Sequence, residues 1–87
     1  MTTRLRLYVA GDAPNSQQAR HNLDELLKTM GKDAYELEVI DCLADPVRTL
    51  TDGIVVTPTL LKVAPEPRRT VIGTLGDADS LRRTIGL

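Results

Sequence analysis

The chain has 87 residues, 41% hydrophobic and 26% charged, with a formal net charge of −1; this size predicts one domain over residues 1–87 with a modest core. Near-neutral charge gives no field to draw nucleic acid or an anionic membrane, and the absence of Trp and Phe argues against an aromatic-lined groove. One cysteine cannot close an internal disulfide, and a single histidine beside it cannot complete a four-ligand structural zinc site.

MTTRLRLYVAG has no long apolar stretch behind its positive charges, and no run of about 18 apolar residues occurs, so neither a signal peptide nor a membrane span is expected. The cytoplasm is the expected location. Arg4 to Val9 alternates at period two, placing Leu5, Leu7 and Val9 on one face of a first strand. After the loop through Pro14, Asn15 and Gln18 have the spacing of a capping box, and Ala19, Leu23, Leu26, Leu27 and Met30 form one helical stripe that Gly31 is expected to stop. Asp24 and Lys28 are spaced for an ion pair on the outer face of that helix.

Tyr35, Leu37 and Val39 alternate with Glu36 and Glu38 before Ile40, a second strand that the intervening helix makes parallel to the first. Asp45 and Pro46 read as N-cap and first residue of a short helix with Val47 and Leu50 as its apolar stripe, closed by Gly53. Thr59 to Val63 is a third strand and Arg68 to Ile72 a fourth, joined by Ala64-Pro65-Glu66-Pro67 as an antiparallel hairpin. Asp77 is placed to cap a last helix with Leu81 and Ile85 inward, Arg82 and Arg83 near its negative end and Gly86 after it. The expected fold is α/β, βαβαββα over a four-stranded mixed sheet.

That order is thioredoxin-like, and Val56-Thr57-Pro58-Thr59-Leu60 resembles the proline loop that faces the paired cysteines of thioredoxins. The segment that would hold those cysteines, Gly11 to Ser16, contains no thiol. Thiol–disulfide exchange needs an accessible thiolate, usually at a helix N-terminus, and a second thiol to resolve the mixed disulfide. Cys42 follows the second strand and reads as a small, partly buried hydrophobe. His21 reads as a surface or boundary residue of the first helix, without clustered ligands. Spacing alone favours an ordinary trans bond at Pro58. No glycine-rich phosphate loop is present.

Leu7-Tyr8-Val9-Ala10-Gly11, Pro14-Asn15-Ser16, Val39-Ile40-Asp41, Val56-Thr57-Pro58-Thr59-Leu60 with Lys62-Val63, the Pro65-x-Pro67 turn, Arg68-Arg69 and Ile72-Gly73 occur in this order. Together they resemble the KaiB family of circadian clock proteins over residues 5 to about 77. The resemblance implies an adaptor with no catalytic, cofactor or metal residues. Its partner would be a KaiC-type hexameric ATPase, with KaiA captured in a full clock, and thioredoxin-like sensor domains of KaiC-linked histidine kinases are related binders. The implied role is circadian timing or stress response.

The resemblance also implies a metamorphic alternative in the C-terminal half, often tetrameric, against a thioredoxin-like binding state that is monomeric or dimeric, with Pro58 and Gly73 in the switching region. Its implied contact residues are Asp45, Pro46, Arg48, Thr57, Pro58, Lys62, Arg68 and Arg69. Three departures stand out: the sequence stops at Leu87, where cyanobacterial members continue into a further tail; Gln18 replaces a basic residue; and Thr74 replaces the acid after Gly73. Losing the tail is expected to favour the thioredoxin-like state with Pro58 cis and no oligomer above a dimer. The competing function is that of a degenerate thioredoxin-like or glutathione-linked redox protein using Cys42.

Overall fold

The computed structural model describes residues 2–86, and its elements follow the βαβαββα order. These are β1 (Thr3–Val9), α1 (Pro14–Leu27), a 3-10 turn (Lys32–Ala34), β2 (Tyr35–Asp41), α2 (Pro46–Thr51), β3 (Thr59–Ala64), β4 (Arg69–Ile72) and α3 (Ala78–Ile85). The sheet order is β2-β1-β3-β4. β1 pairs parallel with β2, the pairing a helical crossover permits, and antiparallel with β3, which forms a hairpin with β4. The mixed four-stranded sheet is the one the sequence predicts. No helix among the described residues is long and apolar enough to cross a membrane.

Strand alternation divides the core in two. Leu5, Leu7, Val9 and Leu60 face α1 and α3, where they meet Ala19, Leu23, Leu26, Leu27, Leu81 and Ile85. Tyr8 and Leu61 point to the other face and pack with Ile40 and Ile54. The helical stripe thus serves its expected purpose, with Met30 only partly buried at its margin.

Local details correct the sequence reading. α1 begins at Pro14, with Ala13 as N-cap and no side-chain cap, because a proline at N1 is already set at helical φ. The Gln18 amide instead donates to Asn22 Oδ1 at 3.1 Å. The helix ends at Leu27, before Gly31, which opens the 3-10 turn at an ordinary φ of −68°. Asp24 pairs with Arg20 at 3.4 Å and Lys28 with Glu25 at 2.9 Å, replacing the expected Asp24–Lys28 pair.

The later caps fall where the sequence puts them. Asp45 accepts from the Arg48 amide at 3.3 Å, and Asp77 from the Ser80 amide at 3.1 Å. Gly86 terminates α3 in the left-handed region. Between β4 and α3, Gly73 holds φ at 105° and its N–H donates to the Pro58 carbonyl at 2.9 Å, tying the last turn to the proline loop. Leu75 is a non-glycine residue at φ 61°, a conformation costing roughly 1–2 kcal/mol, held by a side chain buried in the α1/α3 core.

Candidate functional site

The chain from the end of β2 to the start of β3 carries α2 and the proline loop. Asp41 fixes its first corner: Oδ1 accepts from the Gly11 N–H at 3.1 Å and the Leu43 N–H at 3.0 Å, so one carboxylate joins the two loops at this end of the sheet. Asp45 and Pro46 then start α2, and the Ile54 N–H returns to the Thr49 carbonyl at 3.0 Å. Thr59 Oγ1 donates to the Val56 carbonyl at 2.7 Å, closing the loop around a cis Thr57–Pro58 bond. The cis bond agrees with the family-based expectation and not with the trans bond favoured by spacing.

Val47 and Leu50, expected to turn inward, do not. Leu43, Val47, Leu50 and Val55 are 75%, 73%, 76% and 88% exposed, while Ile54 alone of this segment reaches the core. α2 has fewer than two turns, and the sheet below it is occupied by polar groups, so its apolar side has nothing to cover. Scattered exposed aliphatics need no explanation, but four within thirteen consecutive residues are an apolar patch of the kind that marks an interaction surface.

Beneath the patch runs a chain of charges. Asp52, with its side chain 10% exposed, accepts from Tyr8 Oη and from Arg6 at 2.8 Å, and Arg68 approaches it at 3.5 Å. Arg6 also lies 3.9 Å from Glu38, which in turn receives both terminal nitrogens of Arg48. The sequence Arg68, Asp52, Arg6, Glu38, Arg48 therefore links the residue before β4, the end of α2, β1, β2 and α2 itself.

Burial pushes the Asp52 carboxyl upward, yet the hydrogen bonds from Tyr8 and Arg6 and the positive charge of Arg6 and Arg68 outweigh it and hold it below its ordinary value of 3.8. Tyr8 moves the other way, to about 12, through burial first and then its hydrogen bond to the Asp52 carboxylate. The Arg48 hydrogen bond holds Glu38 below its ordinary value.

The expected contact residues divide between surfaces. Asp45, Pro46, Arg48, Thr57 and Pro58 lie along the α2-to-β3 segment, and Arg68 joins them through Asp52, although Pro58 is itself buried. Lys62 and Arg69 are cross-strand partners whose alternation with Leu60 and Val71 places them on the α1/α3 face. Lys62 is only 5% exposed, so it is not the surface cation the sequence reading made it.

Arg6, Tyr8, Glu38 and Asp52, which support the patch, escaped the sequence reading. One signal for Asp52 was present: an acid at the negative end of a helix is electrostatically misplaced unless cations meet it. Arg4-x-Arg6 opposite Glu36-x-Glu38 was another, since the parallel register pairs both.

Gly11 to Ser16 opens α1 without a thiol, and buried Ser16 accepts from the Ala10 N–H at 3.1 Å. Cys42 is half-buried against Tyr8, Ile40, Ile54 and Leu61. His21 is exposed on α1, and no group of three or more His, Cys, Asp or Glu side chains among the described residues is placed to hold a metal ion.

The arrangement defines a class: a thioredoxin-like domain that lacks the thiol pair and displays an apolar surface on its α2 side. Among solved structures, chloroplastic thioredoxin z matches with a TM-score of 0.81 at 17% identity, covering 98% of this chain and 76% of that one, a likeness of fold alone. The N-terminal domain of Synechococcus elongatus SasA matches with a TM-score of 0.79 at 27% identity, covering 98% and 84%. The KaiB domain model matches residues 6–87. The circadian clock oscillator protein KaiB of Prochlorococcus marinus is 48% identical over 83 residues, covering 95% of this chain and 69% of that protein. The chain belongs to the KaiB family.

Proposed function

We propose that this protein is a non-enzymatic adaptor that docks the α2 surface onto a KaiC-type hexameric ATPase and so regulates its phosphorylation and ATPase cycle. The observation that carries this reading is the exposure of Leu43, Val47, Leu50 and Val55, the four most exposed large aliphatics among the described residues, on one segment between β2 and β3. Burying such side chains at an interface contributes about 1.5–3 kcal/mol each when complete. Arg48, Arg68 and the Thr57 hydroxyl rim the patch and would orient the partner more than bind it. In a host with a full clock the further partner would be KaiA or a KaiC-linked histidine kinase; elsewhere the same docking would serve stress response.

The test is binding to a purified KaiC-type ATPase by biolayer interferometry. The Leu43→Ser, Leu50→Ser double variant should lose at least about tenfold in affinity, while its amide NMR spectrum stays thioredoxin-like. Arg68→Ala should chiefly slow association and flatten the salt dependence. Parental affinity in the double variant would remove α2 from the interface.

A further inference from the structure

On the far side of the sheet, Arg69 of β4 and Ser80, Arg83 and Thr84 of α3 line a cleft of about 310 Å³. Positions 80, 83 and 84 share one helix face, so the helix turns a single polar side toward the strand. Lys62 stands directly opposite Arg69 in the β3–β4 ladder and is buried. Like charges placed across a ladder repel, and low dielectric around one of them strengthens the repulsion.

Six of the eleven cations are paired, while Lys32, Lys62 and Arg82 stand without an ion pair among the described residues. Arg4, Arg6, Arg20, Lys28, Arg48 and Arg68 each form an ion pair with a carboxylate. Arg69 and Arg83 form none among the described residues, even though Asp79 lies one helical turn before Arg83. Two guanidinium groups therefore line one cleft with no carboxylate paired to either among the described residues.

The donor inventory narrows what the counter-ion is. Thr84 Oγ1 donates to the Ser80 carbonyl at 3.0 Å, so its proton is used and Thr84 serves as wall. The Ser80 hydroxyl and two planar guanidinium groups remain as donors. Guanidinium forks match the several acceptor oxygens and double charge of a phosphoryl group. No aromatic side chain lines the cleft, so nothing there would stack on a nucleobase.

We propose that the β4–α3 cleft binds a phosphoryl group, carried as inorganic phosphate or as the phosphate of a small monoester, with Arg69 and Arg83 clamping it and Ser80 supplying a third donor. The site lies on the face opposite the α2 patch and does not depend on the adaptor reading.

The experiment is amide NMR of the full chain titrated with sodium phosphate and, separately, with AMP, each against sodium chloride of equal ionic strength. Saturable shifts centred on Arg69, Ser80 and Arg83 are expected with both ligands at similar affinity. Saturation with phosphate alone assigns the site to the free ion, and with AMP alone to the monoester; both support the proposal. Arg83→Gln should weaken binding about tenfold, and Arg82→Gln, exposed on the same helix but outside the cleft, should leave it unchanged. Shifts that never saturate, that chloride reproduces, or that persist in a folded Arg69→Gln, Arg83→Gln double variant would overturn it.

Discussion

On the α1/α3 face, Leu5, Leu7 and Leu60 meet Leu23, Leu27, Leu81 and Ile85, all buried; on the α2 face the buried set shrinks to Tyr8, Ile40, Ile54 and Leu61, and charged groups occupy the space beside them. The first face holds the fold by burial, which is non-directional and needs only volume and pattern. The second holds α2 by hydrogen bonds and ion pairs that fix orientation, leaving its own aliphatics outward. The division suits the adaptor role proposed above, because the surface offered to a partner contributes little to the stability of the fold.

The largest expected effect tests the division directly. Leu23→Ala, in the α1/α3 core, should cost about 2–5 kcal/mol of unfolding free energy in a denaturant titration, whereas Leu50→Ala should change it by no more than about 0.5 kcal/mol. Comparable losses for the two would mean that α2 is packed in solution and that the faces do not differ as described.

Asp52→Asn comes next. It leaves the buried Tyr8 hydroxyl with a weaker acceptor and the Arg6 guanidinium facing an amide that cannot balance its charge, a cost of about 1–3 kcal/mol. The same carboxylate predicts an acid limit. Its folded pKa lies below the unfolded value, so its stabilisation is complete above about pH 4 and is lost as pH falls through the folded pKa. Asp52→Asn should remove part of that acid sensitivity; an unchanged acid profile would show that Asp52 is not its source.

Tyr8 sets the opposite limit with a smaller effect. With its folded pKa raised from 10.0 to about 12, its contribution is complete below pH 10.0 and is lost as pH rises through about 12. Tyr8→Phe keeps the buried ring and loses the hydroxyl, which should cost about 0.5–1.5 kcal/mol. In the parent, phenolate absorbance should show one tyrosine titrating late, and in Asp52→Asn that titration should move toward the ordinary value.

The α1/α3 face was legible in the sequence because periodicity reports burial directly: the stripe from Ala19 to Leu27 and the alternation in β1 both appear as expected. The α2 face was not, because Val47 and Leu50 have helical spacing whether or not anything covers them, and Asp52 acquires its role from Arg6 and Tyr8 more than forty positions away. The misreading of Lys62 has a related cause. A lysine in a strand looks like a solvent-facing cation, and only the β3 register places it beside Leu60 on the covered face. Cap positions succeeded where the side chain acts on its own backbone, at Asp45 and Asp77, and failed at Asn15, where Pro14 had already begun the helix.

The smallest effect belongs to the outermost pair. Glu38 and Arg48 meet at the solvent-facing end of the charge chain, with side chains 50% and 33% exposed, and water screens what they gain from each other. Glu38→Gln should leave the denaturant midpoint unmoved within error at physiological salt, even though Arg48 loses a two-pronged partner. Its consequence should appear in binding, since the pair ties α2 to the β2 edge and orients the segment that carries Leu43, Val47 and Leu50. Faster dissociation from the ATPase with unchanged stability is the expected outcome. A stability loss as large as that of Asp52→Asn would instead make Glu38 a support of the fold and move the boundary between the two functions of this face outward.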